Sequence, residues 1–108
     1  MKRSIENIVK HAEVSEKAIE RYLVDEIKKL GGICLKYTNP SMVGYPDRIC
    51  LLPEGITIWV ELKSKGEQLK AIQKVRICQI AKIGHIVNVC DSKADIDEVL
   101  KPYKGRMI

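Results

Sequence analysis

The sequence predicts an α/β domain built on a mixed central sheet flanked by helices. Three observations lead there. Two segments, 15–30 and 68–83, carry apolar residues at helical spacing. Four short apolar runs between and after them read as strands. A tight Pro53-Glu54-Gly55 turn joins two of these runs, whereas a full helix separates the last two, so antiparallel and crossover connections meet in one sheet.

Each element has its own signal. Residues 1–14 are weakly patterned and are expected to form an arm, as a short helix or a loose segment. Ser15 is placed as an N-cap with Glu16 in the first turn. Ile19, Tyr22, Leu23, Ile27 and Leu30 then mark a helix face, and Gly31-Gly32 ends it, because glycine accepts the left-handed C-cap conformation. Ile33 to Thr38 reads as a strand. Residues 39–46 hold two prolines and a glycine and read as a loop. Asp47 to Leu52 is a short apolar strand. After the turn, Ile56 to Lys63 alternates, with Ile58, Val60 and Leu62 on one face and Trp59, Glu61 and Lys63 on the other. A polar turn at 64–67 leads to a helix from Gln68 to Ile83 that stops at Gly84. Its apolar residues spread around much of its circumference, which predicts burial on more than one side, the second against another subunit. His85 to Cys90 is the last strand, and His85 is expected to be structural. Ser92 with Asp95 resembles a capping box for a helix through Leu100. The expected organisation is an arm at 1–14, one domain at 15–100 and a basic tail at 101–108.

Composition bounds the function. The 108 residues suffice for one core, and 45% apolar with 31% charged residues excludes disorder along the whole chain. A net charge of +5 favours a polyanionic partner, nucleic acid or a membrane surface. Four cysteines without a CxxC pair, beside only two histidines, argue against a zinc site. Cys34, Cys50, Cys78 and Cys90 each lie in or beside an apolar run and read as reduced core residues, which implies a reducing compartment such as the cytoplasm. The N-terminus shows no signal-peptide core, and no apolar run approaches membrane-spanning length, so no membrane is expected.

The chemistry starts from Glu61 and Lys63. Two residues apart in a strand, they share a face at roughly 6–7 Å along the chain. If residues 47–52 and 56–63 pair across the tight turn, Asp47 arrives beside them. Like charges resist sharing a site unless a cation neutralises them. Paired carboxylates with room for water suit Mg²⁺ or Mn²⁺.

At these residues the sequence resembles a known family. Gly44-Tyr45-Pro46-Asp47-Arg48, then Val60-Glu61-Leu62-Lys63, then Gln73, is similar to the VRR-NUC branch of the PD-(D/E)xK nucleases. Gly31-Gly32, Lys36-Tyr37-Thr38-Asn39-Pro40, the Leu-Leu-Pro-Glu-Gly turn at 51–55 and Gly84 agree, so the resemblance covers residues 15–92. Tyr45 departs from it, standing where a small aliphatic residue is expected. The resemblance implies a restriction-endonuclease-like αβββαβ core. It implies that Asp47 and Glu61 bind a divalent metal, with the Leu62 carbonyl as a further ligand. Lys63 would orient or deprotonate the attacking water, or stabilise the developing phosphorane charge, and Gln73 would lie near it. Relatives also carry a metal-linked glutamate on the first helix. Archaeal Holliday-junction resolvases look similar there, with a glutamate eleven positions before the glycine that ends the helix. Glu20 has that spacing to Gly31, so it is chosen over Glu16. Ser41 resembles a resolvase loop serine, and Lys36 flanks the same loop. Lys65, Lys70, Lys74 and Arg76 follow the site and are candidates for phosphate contacts by charge alone.

The expectation is an Mg²⁺- or Mn²⁺-dependent endonuclease cutting branched DNA, with the Holliday junction favoured. A four-way junction has two symmetric cleavage points, which suits a homodimer. The implied setting is phage or bacterial. The alternatives are a flap or nicking endonuclease of phage replication or packaging, a non-catalytic nucleic-acid-binding module, and a basic scaffold.

Overall fold

Helix α1 (Glu16–Lys29) begins where its cap predicts: Ser15 Oγ accepts the Ala18 N–H at 3.2 Å. Lys28 and Lys29 in the last turn suit the negative end of the helix dipole. The computed structural model describes residues 15–105, so the arm at 1–14 and the last three residues of the tail lie outside the described residues. The strands are β1 (Ile33–Lys36), β2 (Arg48–Leu52), β3 (Ile56–Leu62) and β4 (Ile86–Cys90), with α2 (Ala71–Lys82) before β4 and α3 (Lys93–Lys104) after it. They form one sheet in the order β1-β2-β3-β4. β1/β2 and β2/β3 are antiparallel, while β3/β4 is parallel across the α2 crossover. The mixed α/β sheet with flanking helices is therefore as expected.

The β2–β3 register follows from the turn. Pro53–Gly55 forms a single 3-10 turn, with Glu54 at φ 67 and Gly55 at φ 74. The turn pairs Leu52 with Ile56 and, at the far end, Arg48 with Val60. One sheet face carries the core. Ile19, Leu23 and Ile27 of α1 and Ile96 and Leu100 of α3 meet Cys50, Ile58, Val60, Leu62 and Cys90 there. Gly32 lets the chain leaving α1 pass against the backbone of β2, since a Cβ there would lie 2.5 Å from the Leu51 carbonyl oxygen. Leu23 is wholly buried in this layer. Leu23→Ala is expected to lower unfolding free energy by about 2–5 kcal/mol in urea denaturation.

Several local expectations are corrected. β1 stops at Lys36, two residues before Thr38, where the chain turns into the loop. α2 starts at Ala71, three residues after Gln68, and only its Ile80 is buried. Ile72, Val75 and Ile83 are 38%, 48% and 75% exposed, because the sheet covers one side of the helix. His85 and Ile86 are exposed, since β4 is an edge strand. α3 continues past Leu100 to Lys104 with Pro102 inside it. Proline removes one helical hydrogen bond, but Tyr103 still packs against the core and Lys104 Nζ lies 4.0 Å from Glu26 Oε1, so residues 101–104 are helix, not tail. Of the cysteines, Cys50 and Cys90 are buried, Cys34 is half-buried and Cys78 is exposed; all are free thiols. Among the described residues, no helix is long and apolar enough to cross a membrane.

Candidate active site

The face opposite the core carries the candidate chemistry. Asp47 enters it behind Pro46, whose side chain is fully buried. Its carbonyl accepts the Tyr37 N–H at 2.8 Å, and its Oδ2 accepts the Leu62 N–H at 3.0 Å. The carboxylate is thus fixed against the end of β3, where alternation presents Glu61 and Lys63. Glu61 is 0% exposed and Lys63 is 5% exposed. The three side chains that the hairpin argument brings together do converge.

Glu61 is the unusual group. Its carboxyl is pushed up to about 8, first because burial strips it of water, then because the Asp47 carboxyl faces it; Lys63 offsets this only in part. Among the described residues neither Glu61 oxygen has a hydrogen-bond partner, and a buried carboxylate so placed is costly unless a cation answers it. Lys63 Nζ lies 4.0 Å from Glu67 Oε2. Glu67 Oε1 in turn accepts from Ser64 N–H at 3.0 Å and Ser64 Oγ at 3.2 Å, and the backbone bond holds its carboxyl below the ordinary range. Gly66 N–H donates to Asp91 Oδ2 at 3.1 Å, and Lys63 N–H donates to the Cys90 carbonyl at 2.9 Å. The turn after β3 therefore clamps Lys63 from both sides. Sequence reasoning passed over Glu67; the Ser64-x-x-Glu67 spacing, which lets a serine and a glutamate close a turn, was the available signal.

The two α1 carboxylates stand in different surroundings. Glu20 Oε1 pairs with Arg48 Nη2 at 3.0 Å. Strand alternation sends Arg48 to the helix-covered face and Asp47 to the other, so Arg48 meets Glu20 before the cluster can. Glu16, one turn earlier, has its carboxyl raised by burial first and next by Asp47 and Glu67, with Lys63 opposing. Glu16 is the helix carboxylate that senses the cluster. Glu20→Gln is expected to cost about 1–3 kcal/mol of stability by stranding the largely buried Arg48, while Glu16→Gln stays within about 0.5 kcal/mol. Urea denaturation of both variants checks this.

Gln73 Oε1 accepts the Lys70 N–H at 2.8 Å and so closes the start of α2. Lys36, Ser41, Lys65, Lys70 and Lys74 are exposed. Ser41 N–H donates to Asn39 Oδ1 at 3.2 Å, which holds it in the loop. Arg76 is not a free surface cation. Its Nε donates to the Val43 carbonyl at 3.0 Å, its Nη1 donates to Gln79 at 3.3 Å, and its guanidinium lies 5.1 Å from the Tyr45 ring centroid. Its role here is to fasten the loop before Asp47 onto α2. Among the described residues, no group of three or more His, Cys, Asp or Glu side chains forms a metal cage. What the cluster offers is two facing carboxylates beside an ammonium, with the Leu62 carbonyl at the same strand end.

An αβββαβ core with an aspartate opening its second strand and Glu-x-Lys closing its third defines a nuclease of the PD-(D/E)xK class. Comparison with known proteins narrows this. The chain is 39% identical over 87 residues to "Putative nuclease p44" of Acyrthosiphon pisum secondary endosymbiont phage 1, across 81% of this chain and 92% of that protein. It superposes on a solved structure described as a VRR_NUC domain with a TM-score of 0.77 and 25% identity, covering 83% of this chain and 98% of that one. No family model matches the sequence. The chain belongs to the VRR-NUC family of nucleases.

Proposed function

We propose that this protein is an Mg²⁺- or Mn²⁺-dependent, structure-specific endodeoxyribonuclease that hydrolyses phosphodiester bonds in branched DNA, with the Holliday junction preferred. One observation carries the reading: the wholly buried Glu61 carboxyl, facing Asp47 with no hydrogen-bond partner for either oxygen among the described residues. A hard divalent cation with oxygen ligands answers that arrangement. When bound, such an ion supplies a water of lowered pKa and polarises a phosphoryl oxygen. Asp47, Glu61 and the Leu62 carbonyl would hold it, with Glu16 balancing charge from α1. Lys63 sets its positive charge where negative charge grows on the phosphoryl oxygens. Glu67 keeps Lys63 from swinging away. Lys36, Lys65, Lys70 and Lys74 neutralise backbone phosphates, and Ser41 presents a hydroxyl from the loop.

The homodimer belongs to the same reading. Two symmetric cuts call for two copies, and the exposed Ile72, Val75 and Ile83 of α2 supply apolar area for a twofold contact. The phage origin of the relative supports action in a bacterial cytoplasm during phage DNA processing.

The test is incubation with labelled four-way junction, flap, nicked and linear duplex, with Mg²⁺, with Mn²⁺ and with EDTA. Junction cleavage that needs the ion and exceeds linear cleavage at least tenfold is the expected result. Preferential cutting of flaps or nicks, or a monomer by light scattering, overturns the resolvase reading. Binding of every substrate without cleavage of any would leave a non-catalytic binding module.

A further inference from the structure

The loop between β1 and Asp47 borders an open cleft that the cleavage chemistry does not use. Tyr37, Pro40, Met42, Val43 and Tyr45 line about 370 Å³, within the size range of small-ligand sites. The walls are aromatic and apolar, and no acidic side chain lines them. Tyr37 stands edge-on to Tyr45 with centroids 6.1 Å apart, and edge-on to Trp59 at 5.2 Å. The cleft is built rather than a passing gap. Asn39 Oδ1 accepts from Ser41 N–H at 3.2 Å and Met42 N–H at 3.0 Å, and Asn39 Nδ2 donates to the Tyr37 hydroxyl at 3.0 Å. Gly44 sits at φ 94, and a Cβ there would lie 2.8 Å from Ile72 Cγ1, so the loop is pressed against α2. Arg76 fastens it from the other side through Val43 and the Tyr45 ring. Despite this anchoring, Met42 and Val43 remain 45% and 64% exposed at the rim.

A rigid aromatic cleft two residues from Asp47, beside the exposed Lys36, suits a flat π-faced ligand tethered to phosphate. We infer that it takes one unpaired nucleobase of the DNA strand whose phosphate reaches the Asp47–Glu61 cluster. This deepens the nuclease reading and rests on it for the identity of the polymer. Tyr45, which departs from the small aliphatic residue expected at this position, supplies part of the wall. The cleft would favour DNA carrying bases freed from pairing, as at a branch point, because stacking needs no particular base.

The experiment uses three duplexes: one with a single unpaired thymine, the same with an abasic spacer in its place, and one fully paired. Binding is read by anisotropy in EDTA. The protein is expected to bind the unpaired-base duplex about tenfold more tightly than the abasic one, the effect of one aromatic–base stack. In Tyr45→Val the ratio should fall below about twofold. Trp59, the sole tryptophan, adds a readout that needs no substitution: its emission should be quenched only by the base-bearing duplex. Equal affinities for the base-bearing and abasic duplexes, equal quenching by both, or an undiminished ratio in Tyr45→Val overturns the inference. Cleavage of the same duplexes in Mg²⁺ separates the two claims. A protein that cuts but shows no base effect loses the pocket, and one that shows the base effect but cuts nothing loses the nuclease reading.

Discussion

Lys63→Met is expected to slow DNA cleavage about a thousandfold while leaving DNA affinity within about threefold. Lys63 is 5% exposed, so its ammonium is held in a medium where charge acts strongly. Among the described residues its one ion pair is the 4.0 Å approach to Glu67, which orients the ammonium without neutralising it closely. Methionine keeps the stem and removes the charge. On the proposed reading the exposed lysines make the DNA contact, so binding should survive. Stability should fall, because the Glu61 and Asp47 carboxyls lose the cation that partly offsets them. Single-turnover cleavage at saturating protein is the measurement. A fall of less than tenfold would make Lys63 a structural residue and move the chemistry elsewhere.

Glu61→Gln is expected to abolish cleavage and to remove most of the pH dependence of the metal-free protein's stability. In the fold the Glu61 carboxyl is pushed from an ordinary 4.5 up to about 8, chiefly by burial and secondly by Asp47. The folded state therefore binds a proton that the unfolded state releases. The associated stability is fully present below about pH 4.5 and is lost as pH rises through about 8. In EDTA the wild type should lose on the order of 2–4 kcal/mol between pH 5 and 8 from this group. Glu61→Gln carries no such charge, so its melting temperature should stay nearly flat and exceed that of the wild type at pH 8. Added Mg²⁺ should restore the wild type at pH 8 by binding the native state alone, and should leave the variant unchanged. Melting curves at both pH values, with and without Mg²⁺, decide it. A wild type equally stable at pH 5 and 8 in EDTA would contradict the buried, donorless carboxyl.

The centre of the site could be read in advance because it is local. A three-residue turn sets the β2–β3 register, and the period of two sets which side chains share a face. Together they place Asp47, Glu61 and Lys63 within one strand end. The core-facing Ile58, Val60 and Leu62 follow from the same alternation. The α1 carboxylate is another matter. Counting positions before Gly31 selects Glu20, but which carboxylate reaches the cluster depends on how α1 is rotated against the sheet. Arg48, twenty-eight positions from Glu20 in the sequence, captures it across that packing. Arg76 looked like a surface phosphate ligand for a similar reason. Only the docking of the 37–45 loop on α2 reveals that its guanidinium holds Val43 and Tyr45. For α2, apolar content suggested burial on two sides, and within this chain the four-stranded sheet covers one of them, leaving Ile72 and Val75 exposed.

Sequence alone determined the elements, the hairpin and the carboxylate–lysine cluster, since each rests on interactions between near neighbours and on backbone periods that admit no alternative. The tertiary structure alone decided which charges pair across layers, how deeply Glu61 is buried and what shape the loop before Asp47 borders. Those depend on the angle and distance at which separate elements pack, and packing is settled by the sum of many long-range contacts rather than by any motif.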